Sequence, residues 1–235
     1  MNNRKKVIGI IASHINNTDD VYEDYYKFVS AYINKLDNKV ISIGLFIDNE
    51  EDLSSLDLCD GFIIQGGNKV ERIIYCVIDY ALKNKKPLLG ICLGSEAIAN
   101  YSNIRDRLDY SRDITLNYIN EVYEKLESEN DGTLLKKLVK PNIHDNDIHD
   151  NNYFHDVIID KNSIAYDIFK KEKISVPSFH GYDYKFIGKE FKITGRAEDG
   201  VSEIIEYKGD TFIMGVHFHP EIIKTDIFNY FIDRC

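Results

Sequence analysis

The stretch Pro87-Leu88-Leu89-Gly90-Ile91-Cys92-Leu93-Gly94-Ser95-Glu96-Ala97-Ile98-Ala99 runs from a short apolar strand directly into a helix, with Cys92 on the bend. Gly90 and Gly94 bracket the cysteine at minus two and plus two, the glycine spacing of a nucleophile elbow: small neighbours allow the sharp turn that holds a reactive side chain in the open. A thiol on that bend meets a helix N-terminus, whose free amides and dipole favour the thiolate. Free cysteine is also among the most buried residue types, so Cys92 reads equally as an inert thiol closing a core strand. The flanking glycines weigh against that, but this stretch alone leaves both readings open.

Two distant segments bear on the choice. Phe212-Ile213-Met214-Gly215-Val216-His217-Phe218-His219-Pro220-Glu221 is an apolar strand ending in His-Pro-Glu. Side chains two apart on an extended chain point the same way, and Pro220 keeps the backbone extended, so His219 and Glu221 share a face as a base and its orienting carboxylate. A cysteine nucleophile needs such a base, steered by a third group. His217 lies on the same face as His219 and competes for the role, but lacks the Pro-Glu that follows. The other segment, Asp60-Gly61-Phe62-Ile63-Ile64-Gln65-Gly66-Gly67-Asn68, is a short strand ending in a glycine pair. Without Cβ atoms, Gly66 and Gly67 can aim backbone amides at a reacting carbonyl; a plain strand-to-helix turn is the alternative.

In order and context these segments resemble the class I glutamine amidotransferase-like superfamily, and within it the gamma-glutamyl hydrolase-like peptidases. The likeness starts at Val7-Ile8-Gly9-Ile10-Ile11 and continues through Gly66-Gly67 and the Gly-Ile-Cys-x-Gly elbow. It resumes at Val176-Pro177-Ser178-Phe179-His180, Ala197-Glu198-Asp199-Gly200-Val201-Ser202-Glu203 and Gly215-Val216-x-Phe218-His219-Pro220-Glu221, covering roughly residues 5–100 and 153–223. The resemblance implies Cys92 as nucleophile, His219 as base, Glu221 as its orienter, and the amides of Gly67 and Leu93 as oxyanion hole. It places Gly66, Glu96, Ser178, Phe179 and His180 at the substrate. Where the family usually carries glutamine four residues after the cysteine, this chain has Glu96, an anion that would repel a substrate carboxylate unless protonated or paired. The long substrate loop frequent in the hydrolase branch after the glycine pair is missing here.

The activity implied is cleavage of a gamma-glutamyl, glutamine-type amide through a thioester, without a cofactor. A small-molecule gamma-glutamyl substrate is one expectation, ammonia supply to a synthetase partner a second, and a non-catalytic binding protein on the same fold a third.

Composition agrees with one compact enzyme domain over 1–235. The chain has 235 residues, 43% hydrophobic, enough for a sizeable core. Its formal net charge of −10, with no basic stripe, speaks against a nucleic-acid partner. Cys59, Cys76, Cys92 and Cys235 form no CxxC pair and no metal-ligand spacing, as expected of a reduced intracellular chain. The basic start Met1-Asn2-Asn3-Arg4-Lys5-Lys6 precedes an apolar run too short for a signal peptide, and no segment approaches the about 18–20 apolar residues of a membrane span. A cytoplasmic protein is expected; oligomeric state is not readable.

Periodicity predicts strands at 5–12, 39–43 and 61–64. A helix is expected to start near Asp20 and Glu23 and to present Tyr25, Phe28, Val29, Tyr32, Ile33 and Leu36; a second carries Val70, Ile73, Ile74, Val77, Ile78, Ala81 and Leu82. Strands alternating with amphipathic helices predict an α/β fold: a three-layer sandwich with a mostly parallel central sheet, a flavodoxin-like core and its site at the carboxyl ends of the strands. Strands at 190–198, 203–208 and 211–218, the last two joined at Lys208-Gly209-Asp210, predict an antiparallel C-terminal extension that delivers His219. Residues 101–152 read as a helical insert: one helix with Leu116, Ile119, Val122, Tyr123 and Leu126, stopped by Asn130-Asp131-Gly132, and a short second helix from Leu134 to Val139. A lid, a subunit contact and a peripheral element are equally compatible with it.

From Asn142 to Asp156 the chain packs three histidines, His144, His149 and His155, and four aspartates into fifteen residues. The run has no regular period and no cysteine, so a solvated loop leading into a strand at Val157–Ile159 is expected, with no catalytic metal.

Overall fold

The computed structural model describes residues 4–11, 29–30, 32–33, 35, 40–67, 69–139, 143–144 and 154–235. The expected helix start at Asp20 and Glu23, the positions Tyr25, Phe28 and Leu36, and His149 lie outside the described residues.

The first half alternates as expected: β1 (Lys6–Ile11), β2 (Val40–Leu45), β3 (Gly61–Ile64), α1 (Ile73–Lys83), β4 (Leu88–Ile91) and α2 (Leu93–Arg105). There follow α3 (Leu116–Glu129), β5 (Leu135–Lys137), β6 (Phe154–Ile159), α4 (Ile164–Phe169), β7 (Lys173–Pro177), β8 (Tyr182–Tyr184), β9 (Phe191–Ala197), β10 (Ser202–Tyr207), β11 (Ile213–Val216) and α5 (Ile227–Ile232). Nine strands form one sheet in the order β2-β1-β3-β4-β11-β10-β9-β6-β7. From β2 to β11 the neighbours are parallel; from β11 to β7 every pairing is antiparallel.

Period-two alternation sends side chains of one strand to opposite faces, and the two cores follow it. Phe62, Ile64 and Leu88 pack with α1, α2 and α3 on one side. Ile63, Leu89, Ile91, Met214 and Val216 pack with α4, α5, Val29 and Ile33 on the other. The parallel strands are buried on both faces, hence their unbroken apolar runs.

One expectation changes. The segment Leu134–Val139 is not a helix: Leu135–Lys137 is β5, antiparallel to β8 with Leu135 opposite Tyr184. A partner almost fifty residues downstream decides that conformation, which local spacing cannot register. The expected antiparallel extension forms from β9, β10 and β11, and β11 also joins it to the parallel half: Val216 lies opposite Ile204 of β10 on one side and opposite Ile91 of β4 on the other.

The helix α3 forms where the sequence places it. Thr115 caps it by accepting from the Tyr118 amide at 3.2 Å, and Asp131 and Gly132, both at positive φ, end it. Its apolar face, with Ile119 and Leu126, packs into the core that α1 and α2 share.

Candidate functional site

Cys92 sits between β4 and α2 with φ 51° and ψ −109°, a strained conformation for a residue with a Cβ. Close approach enforces it. A Cβ on Gly90 would stand 2.5 Å from the Gly94 carbonyl oxygen, and one on Gly94 would stand 2.2 Å from that of Ile64. Strand end, helix start and the neighbouring β3 therefore touch through backbone, and the turn has no room to relax. The Cys92 amide donates to Val216 O at 2.8 Å, locking the bend onto β11.

His219 follows β11 by three residues and so emerges beside Cys92, at the carboxyl end of the adjacent parallel strand. Its Nδ1 lies 2.8 Å from Oε1 of Glu221, and its amide donates to Pro177 O at 2.9 Å. All three side chains of the set are almost fully buried. The Phe179 ring lies 5.3 Å from the His219 ring, and the Phe179 carbonyl accepts from the Cys92 thiol at 3.9 Å.

The thiol is not lowered as its place at a helix N-terminus predicts. Burial pushes it well above its ordinary value and the Glu96 carboxylate adds to this, while the Leu93 amide opposes both. Cys92 therefore rests as a thiol, and a base has to take its proton as it reacts.

A cleft of about 660 Å³ opens at this end of the sheet, lined among others by Lys69, Arg72, Leu93, Glu96, Tyr123 and Leu135. The 101–152 segment thus supplies one wall, through α3 and β5. Gly66 is buried and Gly67 half-buried just beyond the end of β3, on the same sheet edge as Cys92.

The other sequence-derived residues are placed less uniformly. Glu96 is buried, its Oε1 3.5 Å from Nε2 of His217. Burial alone would lower the His217 imidazole, but the Glu96 carboxylate reverses this and the net shift is upward. His217 Nδ1 lies 2.8 Å from Ser202 O, and the ring stacks between His180 and Tyr184, so both nitrogens are turned to Glu96 and to backbone. Ser178 and His180 flank Phe179, but their side chains point inward, to His155 Nε2 at 2.7 Å and Glu203 Oε1 at 3.2 Å.

The histidine-rich run is not a solvated loop where it is described. His144 is fully buried and His155, on β6, nearly so; both face the fully buried Glu203. Glu203 is the residue that sequence reasoning missed as a focus of chemistry. The signal available was the pair of glutamates, Glu203 and Glu206, that brackets Ile204 and Ile205 in the strand Ser202–Tyr207.

Residues 71–221, which include the elbow and the His-Pro-Glu end, match Peptidase C26. The chain belongs to the Peptidase C26 family. Among curated relatives, the CTP synthase of Methanosphaera stadtmanae is 26% identical over 197 residues, covering 74% of this chain and 33% of that protein. The CTP synthase of Mycoplasmopsis pulmonis is 29% identical over 211 residues, covering 82% and 36%. The chain spans about a third of the length of these relatives. Among solved structures, the glutaminase domain of Trypanosoma brucei CTP synthase with bound acivicin superposes at TM-score 0.67 with 16% identity, covering 98% of this chain and 93% of that one. This family member has the class I glutamine amidotransferase fold.

Proposed function

We propose that this protein is a cysteine-dependent amidohydrolase that cleaves a gamma-glutamyl amide through a thioester. One observation carries the reading: Cys92, at positive φ on the β4–α2 bend, shares a sheet edge with the His219–Glu221 pair at the end of the adjacent β11.

His219 takes the thiol proton as Cys92 sulfur attacks the side-chain carbonyl carbon. Glu221 holds the imidazole tautomer through Nδ1 and stabilises the imidazolium. The tetrahedral oxyanion falls to the amides of Gly67 and Leu93, and stabilisation of charge that develops only then accelerates the step. His219 gives its proton to the departing amine, the C–N bond breaks and a thioester remains. Water, deprotonated by His219, attacks the thioester; the C–S bond breaks, the free acid leaves and the thiol is restored. A thiol kept protonated at rest is protected from adventitious electrophiles until a substrate fills the cleft.

Two amines could leave. Hydrolysis of a gamma-glutamyl amide of a small amine or peptide is the first reading. Release of ammonia from glutamine to a synthetase partner is the second, supported by the CTP synthase relatives, of which this chain spans about a third. The test is a mixed-substrate assay that measures ammonia from glutamine and free amine from gamma-glutamyl amides. Turnover of neither, by protein whose Cys92 still reacts with a glutamine-like electrophile, would leave a binding protein as the answer.

A further inference from the structure

Four segments, the 143–144 turn, β6, the stretch after β7 and β10, bring His144, His155, His180 and Glu203 together. Oε1 of Glu203 lies 3.0 Å from His144 Nδ1, 3.4 Å from His155 Nε2 and 3.2 Å from His180 Nε2. One donor atom each from His144, His155 and Glu203 fall within 4.8 Å of one another, and all three residues are buried. The second carboxylate oxygen of Glu203, Oε2, is fully buried and accepts no hydrogen bond among the described residues.

The far side of each imidazole is committed. His144 Nε2 lies 3.0 Å from the Asp199 carboxylate, His180 Nδ1 2.9 Å from Tyr182 O and His155 Nδ1 3.4 Å from Asp156 O. An imidazole that donates from one nitrogen to an oxygen acceptor presents a lone pair from the other. For His144 and His180 those lone pairs would then face one carboxylate across 3.0–3.2 Å, acceptor against acceptor, while His155 Nε2, 2.7 Å from Ser178 Oγ, stands 3.4 Å from the same oxygen. That arrangement calls for positive charge in the middle. Two ligand atoms on a tetrahedral metal with bonds of about 2.0 Å stand about 3.3 Å apart, close to the 3.0 and 3.4 Å that separate the His144 and His155 nitrogens from Glu203 Oε1. Histidine bound outward to a carboxylate or carbonyl, with its other nitrogen inward, is also how protein ligands to zinc are oriented.

We infer that His144 Nδ1, His155 Nε2 and the Glu203 carboxylate form a binding site for a divalent metal ion of the zinc class. Two imidazoles and one carboxylate are a borderline donor set, which favours zinc over calcium or magnesium. Ser178 Oγ, 2.7 Å from His155 Nε2, stands beside the remaining position and is placed to hold a water there. His180 Nε2, 3.2 Å from the same carboxylate oxygen, helps to hold it in place.

The ion would be a clasp and not a reactant. Ser178, Phe179 and His180 are consecutive: the first touches His155, the third touches Glu203, and the carbonyl of the middle one faces the Cys92 sulfur. A metal joining β6, β10 and the 143–144 turn therefore fixes the backbone that lies against the thiol. In its absence the competing arrangement is a protonated His144 bridging Asp199 and Glu203.

The test is titration of chelator-treated, full-length protein with zinc chloride by calorimetry, and with cobalt chloride by visible absorption. Wild type and Cys92→Ala are titrated alike, because a thiol beside an imidazole could bind the same ions. We expect one equivalent per chain in both proteins, tetrahedral cobalt bands and a rise of several degrees in Tm on adding zinc. His155→Ala should lose binding. Asp199→Asn, at a half-exposed position whose change leaves the core packing alone, should weaken it roughly 10- to 100-fold, as expected for an outer partner of a ligating histidine. Absence of binding to the wild type overturns the proposal, as does binding lost in Cys92→Ala. Should His155→Ala fail to fold, an unchanged affinity in Asp199→Asn overturns it instead.

Discussion

Nε2 of His217 stands 3.5 Å from Oε1 of Glu96, a contact between the residue after β11 and the first turn of α2. The anion one helical turn after the nucleophile is thus offset by a buried imidazole, not by a surface lysine. Because Glu96 also lines the cleft, its charge still bears on what binds there.

Glu96→Gln should therefore shift substrate preference toward free glutamine. Removing one buried like charge from the path of a substrate carboxylate is worth on the order of 1–2 kcal/mol, a factor of roughly 5 to 30 in kcat/KM. The ratio of rates on free glutamine and on gamma-glutamyl amides, measured on both proteins, checks this. An unchanged ratio would mean that Glu96 serves only its contact with His217.

The same substitution should speed alkylation of Cys92. Burial and the Glu96 charge together hold the thiol up. Removing the negative charge makes the thiolate easier to form, so at any one pH below the thiol's titration more of it is present. Iodoacetamide trapping followed by mass spectrometry should show slow reaction of the wild type at neutral pH, a rate rising with pH, and a faster rate in Glu96→Gln. Equal rates at every pH would show that the carboxylate does not influence the sulfur.

An electrophilic glutamine analogue should give one adduct, on Cys92. Burial also raises Cys59, to about 11, and Cys76 and Cys235, to about 12, and among the described residues none of the three has a histidine–carboxylate pair emerging beside it. Modification confined to those three would require another nucleophile.

His219→Ala and Glu221→Gln should each lower kcat by roughly 10²–10⁴-fold, the range lost with a general base or the orienter that fixes its tautomer. Both residues lie beyond the end of β11, so circular dichroism and Tm should change little. If His217→Ala were the inactive variant with His219→Ala fully active, the base would have to be reassigned.

Cys92→Gly should be more stable than Cys92→Ala by about 1 kcal/mol, because only glycine accepts the positive φ of the bend without strain. Thermal melts of the two variants decide it. Equal Tm values would show that the turn relaxes once the sulfur is gone.

Much of the fold was legible because its signals are local: the apolar runs of β1, β3 and β4, the helical spacing of α1, and the glycines at 90 and 94. What failed was decided at long range. Leu135–Lys137 became a strand only because Tyr182–Tyr184 pairs with it. The 143–144 turn and His155 on β6 became interior because they meet a glutamate on β10, a strand that reaches them only through β9. A helix N-terminus predicts a lowered thiol, but desolvation, which depends on what packs above the bend, is the larger effect. The placement of Cys92 on a bend and of His219 beside Glu221 was readable because glycine spacing and a His-Pro-Glu end constrain the backbone directly. Ser178 and His180 share a segment with Phe179, and sequence gave no sign that their side chains turn to the opposite side.

The position of β11 also governs when the site can exist. Of the nine strands of this sheet it is the last in sequence order, yet it lies between β4 and β10 near the middle of the sheet, and its backbone receives the Cys92 amide. Until it inserts, β4 and β10 are two open edges with nothing to bridge them. During translation Cys92 is therefore made long before His219. A nascent or prematurely terminated chain would lack the His219–Glu221 pair and, with two unpaired apolar strands, be prone to associate with copies of itself.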